Sequence, residues 1–255
     1  MKQKTHSASL LIILIVLLTL RLIPQQPEWA ANGMDTQAEQ AIDTFCREHD
    51  LSPADYPAEL VELLERNPET EEFVLHYPLE KHKNICVDLS GYGTDTVPLF
   101  LQWDRQWGYM DYGGKCAALT ACGPVCLSMA AYYLTGDDAF SPDSMIEFAA
   151  RGGYYVSGSG SKWTLISEGA AELGFEVEEL PLVKSRILQN LEEGWPVICA
   201  MGPGDFTSSG HFIVLTDVED GLLRVNDPNS IANSEKLWKF EEIEDQFRNL
   251  WVIRK

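Results

Sequence analysis

Cys122, in the run "TACGPVCLSM" from 120 to 129, is the residue whose surroundings could do chemistry. A cysteine can be packing, a metal ligand or a nucleophile, and its neighbours decide which. The segment "CGPVCLSMAAYYL" is apolar nearly all round, which predicts a buried central helix beginning at this cysteine. Gly123 and Pro124 fall in its first turn, where the missing proline N–H costs nothing. Cys122 then stands at the helix N-terminus, where unpaired N–H groups and the positive end of the dipole favour a thiolate. Cys126, one turn in, and Cys199 in "PVICAM" read as small core hydrophobes. Cys116, Cys122 and Cys126 are spaced C-x5-C-x3-C, without the C-x2-C knuckles of structural zinc sites and with no histidine near. No metal or cofactor is expected.

A nucleophilic thiolate needs a base, a group that orients the base, and donors for an oxyanion. His6, His49, His76 and His82 fall early in the chain, and His211 alone follows. It opens the apolar run "HFIVLTDV" after the loop "GPGDFTSSG", a position that also suits an ordinary core or edge histidine. A three-residue hairpin at Glu219-Asp220-Gly221 pairs 218 with 222 and sets 211 opposite 229. Asp227 is then diagonal to His211 on the same face, where a carboxylate holds the imidazole tautomer and stabilises the imidazolium. A two-residue Asp-Gly turn instead pairs 219 with 222 and points Asp227 to the other face. "NDPNS" around Asp227 also reads simply as a turn.

The elements that must position these residues are punctuated clearly. "SPDSMIEFAARGG" offers Ser141 as N-cap, Pro142 at the first helical position and Gly152 as the stop. "SKWTLISEGAAELG" and "KSRILQNLEEG" repeat the format, with Gly174 and Gly194 as stops. Strand-like runs follow at 175–180, 196–201, 211–218, 222–227 and 250–254. Helices first and an antiparallel run of strands last give an α+β fold rather than a doubly wound parallel sheet.

Residues 1–31 carry Lys2 and Lys4 before an apolar run from Leu10 to Ile23, broken by Arg21. That is the format of an export signal, or of an uncleaved membrane anchor, and an extracytoplasmic protein is expected. Residues 32–96 form an acidic helical region, with Ser52 and Pro53 as a helix start and Leu60, Leu63 and Leu64 at helical spacing. Six cysteines in an exported chain invite a disulfide framework. The formal net charge of -20 argues against nucleic acid and anionic lipid surfaces as partners.

Four motifs in order, "PLFLQWDRQWGY", "ACGPVCLSMAAYYLTGD", "GHFIVL" and "VNDPNS", resemble the stand-alone branch of the papain-like cysteine peptidases related to double-glycine leader peptidases, family thirty-nine of that class. The resemblance spans 97–255 and implies a papain-like fold, a central helix carrying the cysteine packed on an antiparallel sheet carrying His and Asp. It implies Cys122 as nucleophile, His211 as base, Asp227 as its partner and Gln102 in "FLQWD" as oxyanion donor, with Gln106 the competing glutamine. Ala121 stands where the transporter-linked branch has aspartate, and no transporter or ATP-binding module accompanies the domain, so leader cleavage is not inherited as the activity. The implied chemistry is hydrolysis of a peptide or protein substrate through a thioester. Transpeptidation or isopeptide chemistry, and a non-catalytic binding module on the same fold, are the alternatives.

Overall fold

The computed structural model describes residues 36–83, 86–158 and 160–255. The export segment at 1–31 lies outside them. The chain divides into two compact units, one ending at Arg66 and one running from Asn67 to Lys255, so residues 67–96 belong to the second.

In the first unit, helix α1 spans Gln37–His49 and opens on a reciprocal cap. Glu39 N–H donates to Thr36 Oγ1 at 3.2 Å and Thr36 N–H donates to the Glu39 carboxylate at 2.7 Å. Ser52 and Pro53 start only a short 3₁₀ turn, Pro53–Asp55, and helix α2 follows at Ala58–Arg66. The leucines at 60, 63 and 64 form its buried face.

In the second unit, α3 spans Glu71–Glu80, α4 Cys122–Thr135, α5 Pro142–Arg151, α6 Lys184–Glu192 and α7 Ile231–Glu235. The main strands are β1 Glu176–Glu179, β2 Val197–Met201, β3 His211–Glu219, β4 Leu222–Asn226, β5 Leu237–Trp238 and β6 Phe247–Arg254. They form one antiparallel sheet in the order β1-β6-β2-β3-β4-β5, the last long strand entering between β1 and β2.

The period-two alternation of the strands separates two cores. Ile198, Phe212, Val214, Trp251 and Ile253 pack with Val125 and Met129 of α4 on one face. Val197, Cys199, Ile213, Leu215 and Val252 pack with Ile187 and Leu191 of α6 on the other. Coverage on both faces is why "FIVL" and "WVI" read as continuous apolar runs. Helix α4 is buried from Gly123 to Tyr132, as its all-round apolar pattern predicts.

Local details depart from the expected punctuation. Ser141 occupies the N-cap position of α5, but its hydroxyl bonds Asp143 and Ser144 rather than a backbone N–H. Gly152 keeps a right-handed conformation, and it is Gly153 that turns left-handed. The run around Leu165–Gly169 winds as a single π-turn. Cys46, Cys86, Cys122, Cys126 and Cys199 are free thiols, so the invited disulfide framework does not form among them.

The β3–β4 hairpin corrects the expected three-residue turn: 218 does not pair with 222, and the two-residue turn forms instead. Glu219 pairs with Leu222, and Asp220 and Gly221 take positive φ of 52 and 80°, the two-residue mirror-image turn that matches strand twist. Continued regularly, that register would turn Asp227 away from His211. A bulge between Leu215 and Asp217 inserts one residue in β3, so Leu215 pairs with Val225 and Val214 with Asn226. The extra residue restores the parity of the three-residue register, and Asp227 lies on the side of His211.

Candidate active site

The site is assembled from four segments. Cys122 is half-buried at the first position of α4, an end that no side chain caps. The donors of an uncapped first turn are free to meet an anion. Gly123 is required beside it: a Cβ here would sit 2.7 Å from Ser161 Cβ, where the short 155–156/160–161 hairpin crosses the helix start. Ser161 Oγ and Tyr112 Oη share a hydrogen bond of 2.9 Å beneath that crossing. Burial pushes the Tyr112 hydroxyl up to about 12, opposed by the Ser161 bond, with Cys122 and Tyr155 adding to the rise.

His211 begins β3 with its side chain 8% exposed, and its Nε2 lies 2.7 Å from Asp227 Oδ1. Nδ1 is left as the ring nitrogen for other partners. Burial alone would lower the imidazole pKa. The Asp227 carboxylate, through charge and hydrogen bond, and then the Cys122 sulfur, through the same two effects, raise it from 6.5 to about 10.

Asp227 follows the end of β4 and is 1% exposed. Its Oδ1 also accepts from Asn229 N–H at 2.9 Å, and its Oδ2 accepts from Asn233 Nδ2 at 2.8 Å. Its own N–H donates to Ser234 Oγ at 2.9 Å. A buried carboxylate with this many donors is held in one orientation. Asn226, one residue earlier, donates to the carbonyls of Val97 and Pro98, both at 3.0 Å, and so lays the segment leading to Gln102 along the sheet.

Gln102 is 5% exposed. Its N–H donates to Pro228 O at 2.7 Å, one residue past Asp227, and its Nε2 donates to Ala118 O at 2.5 Å in the turn before Cys122. The Ala118 carbonyl sets the amide's orientation, since a flip would face oxygen to oxygen. One Nε2 hydrogen is thereby used of two, and Oε1 is buried without a partner. Gln106, the competing glutamine, accepts from Asp88 N–H through its Oε1 at 2.7 Å.

The structure therefore brings Cys122, His211 and Asp227 together and ties Gln102 to both the nucleophile's turn and the aspartate's loop. Cys126 and Cys199 are fully buried, and burial raises both thiols well above the ordinary range. Among the described residues no group of three or more His, Cys, Asp or Glu is arranged to hold a metal. The Asn229 N–H bond to Asp227 is the turn that "NDPNS" suggests; sequence reasoning missed Asn233 and Ser234, which also hold Asp227, and the Tyr112–Ser161 pair, and none of these has a spacing that announces it.

No curated protein matches this chain. Among solved structures, the peptidase domain of Streptococcus ComA, a bi-functional ABC transporter involved in a quorum sensing pathway, is 20% identical with a TM-score of 0.40, covering 52% of this chain and 90% of its own. A putative C39-like peptidase from Bacillus anthracis is 14% identical with a TM-score of 0.43, covering 64% of this chain and 96% of its own. A helix opening on a cysteine and packed on an antiparallel sheet that carries His and Asp is the α+β, papain-like arrangement, and here α4 packs on β3 in that way. The Peptidase_C39 like family matches residues 94–255, and the chain belongs to that family.

Proposed function

We propose that this protein is a cysteine peptidase that hydrolyses peptide bonds through Cys122, His211 and Asp227. One observation carries the reading: the imidazole of His211 is held by the buried Asp227 carboxylate at 2.7 Å while Cys122 acts on the same ring from an uncapped helix N-terminus. The Cys122 thiolate attacks the amide carbonyl, forming the C–S bond as the carbonyl pair moves to oxygen. That oxyanion is met by the free first-turn N–H groups and the remaining Nε2 hydrogen of Gln102. The imidazolium of His211 protonates the leaving nitrogen as the C–N bond breaks. Neutral His211 then draws a proton from water, which cleaves the thioester and returns the thiolate. Export through residues 1–31 is part of the same proposal and places the substrates outside the cytoplasm.

The test is a peptide-library digest read by mass spectrometry with wild-type and Cys122→Ala protein. Cleavage products in the first and none in the second support the proposal. Products from both, or single adducts with added amines in place of hydrolysis, oppose it. Fractionation of expressing cells tests export: protein confined to the cytoplasm would remove that part.

A further inference from the structure

The family match begins at residue 94, yet the loop bearing Asp227 is held by residues far upstream of it. Glu69 places its two carboxylate oxygens on the first N–H groups of α7, 2.7 Å from Ile231 N and 2.9 Å from Ala232 N. Asn67 donates from Nδ2 to Asn229 O at 2.6 Å, and its Oδ1 accepts from Glu69 N–H at 3.2 Å, which fixes the glutamate's backbone. Charge-assisted bonds of this kind are the stronger sort. Helix α7 carries Asn233, whose amide bonds Asp227 Oδ2, and Ser234, whose hydroxyl accepts the Asp227 N–H. The chain of contacts runs Glu69, α7, Asn233, Asp227, His211.

The other end of the same segment is fastened too. Phe73 stacks on Tyr109 with centroids 4.4 Å apart, and its carbonyl accepts from Tyr109 Oη at 2.8 Å. Glu80 accepts two bonds from Arg105, at 2.8 and 2.7 Å. Residues 67–80 thus form a strap between the aspartate loop and the segment that follows Gln102.

We propose that Asn67 and Glu69 are positioning residues for the triad, supplied from outside the family domain, which hold the Asp227 loop so that its carboxylate faces His211. The inference rests on the triad reading above. Its test therefore has a readout apart from turnover: the titration of the His211 imidazole by NMR in the full chain, assigned with His211→Gln. The titratable groups acting on that ring are Asp227 from the β4–α7 loop and Cys122 from α4.

In Glu69→Ala the loosened carboxylate lowers the His211 titration by about one pH unit, within the range a nearby opposite charge contributes. Turnover falls on the order of tenfold, as a sub-ångström misplacement costs, with KM little changed. Glu69→Gln keeps an acceptor oxygen for α7, so it folds where the alanine variant does not and gives a smaller shift in the same direction. Thr36→Ala, which removes the cap of α1, lowers stability without moving the titration. A wild-type His211 titration in folded Glu69→Ala, or in Glu69→Gln where the alanine variant does not fold, overturns the inference. A shifted titration in a protein whose wild type cleaves no peptide leaves the positioning intact and removes the peptidase reading instead.

Discussion

Replacing Asp227 with asparagine keeps the shape of the buried side chain and removes the charge that acts on His211. In the wild type the imidazole is raised from 6.5 to about 10, against the opposing effect of burial. At 1.36 kcal/mol per unit this is at most about 5 kcal/mol of preference for the imidazolium. A group raised on folding stabilises the fold fully below its unfolded value, near 6.5, and that contribution is lost as pH rises through about 10. The stability gap between wild type and Asp227→Asn is therefore widest below about pH 6.5, narrows through neutral pH and closes near pH 10. Activity follows the same sign. The imidazolium that protonates the leaving amine persists to about pH 10 in the wild type, so the alkaline limb of kcat/KM lies there. In the variant burial stays and the carboxylate is gone, so the limb moves down by two units or more and kcat at neutral pH drops by roughly 10³–10⁴, the cost of a lost orienting carboxylate in a comparable triad. Urea denaturation and steady-state kinetics across pH measure both. An alkaline limb that does not move, or neutral activity within about tenfold of wild type, would refute the role given to Asp227.

Two further substitutions probe the site's framework. Gln102→Ala removes the amide that links Ala118 to the aspartate loop; kcat falls about 10²-fold with KM kept, about 3 kcal/mol of barrier, and full activity would take Gln102 out of the site. Gly123→Ala drives a methyl against Ser161 Cβ at 2.7 Å and lowers stability by about 1–3 kcal/mol in thermal unfolding; an unchanged Tm would mean that the hairpin yields freely.

How far the sequence could be read is clearest in the β3–β4 hairpin. The three-residue turn expected at Glu219-Asp220-Gly221 does not form; the alternative Asp-Gly turn does, and by itself it would have misdirected Asp227. The bulge that compensates is one residue in a run where Leu215, Thr216 and Asp217 give no glycine or proline to mark it. The helix start at Cys122 was legible because an all-round apolar run with Gly-Pro in its first turn has few other outcomes. The strap was not legible. Glu69 looks like any other glutamate in an acidic stretch, and its partners at 231 and 232 lie 162 and 163 positions away, beyond any local periodicity. The same holds for Asn233, whose amide distinguishes it from a surface asparagine only once α7 turns it toward Asp227.

The most direct test of a catalytic pair is the alkylation rate of individual cysteines in native protein, read by peptide mass spectrometry. Exposed Cys86 serves as the internal reference, and buried Cys126 and Cys199 as slow controls. With His211 cationic beside the sulfur, Cys122 is modified faster than Cys86 at about pH 6, where free thiols react slowly, and His211→Ala abolishes the advantage. Modification of Cys122 no faster than Cys86, or a rate indifferent to the loss of His211, would contradict the existence of an assembled thiolate–imidazolium pair.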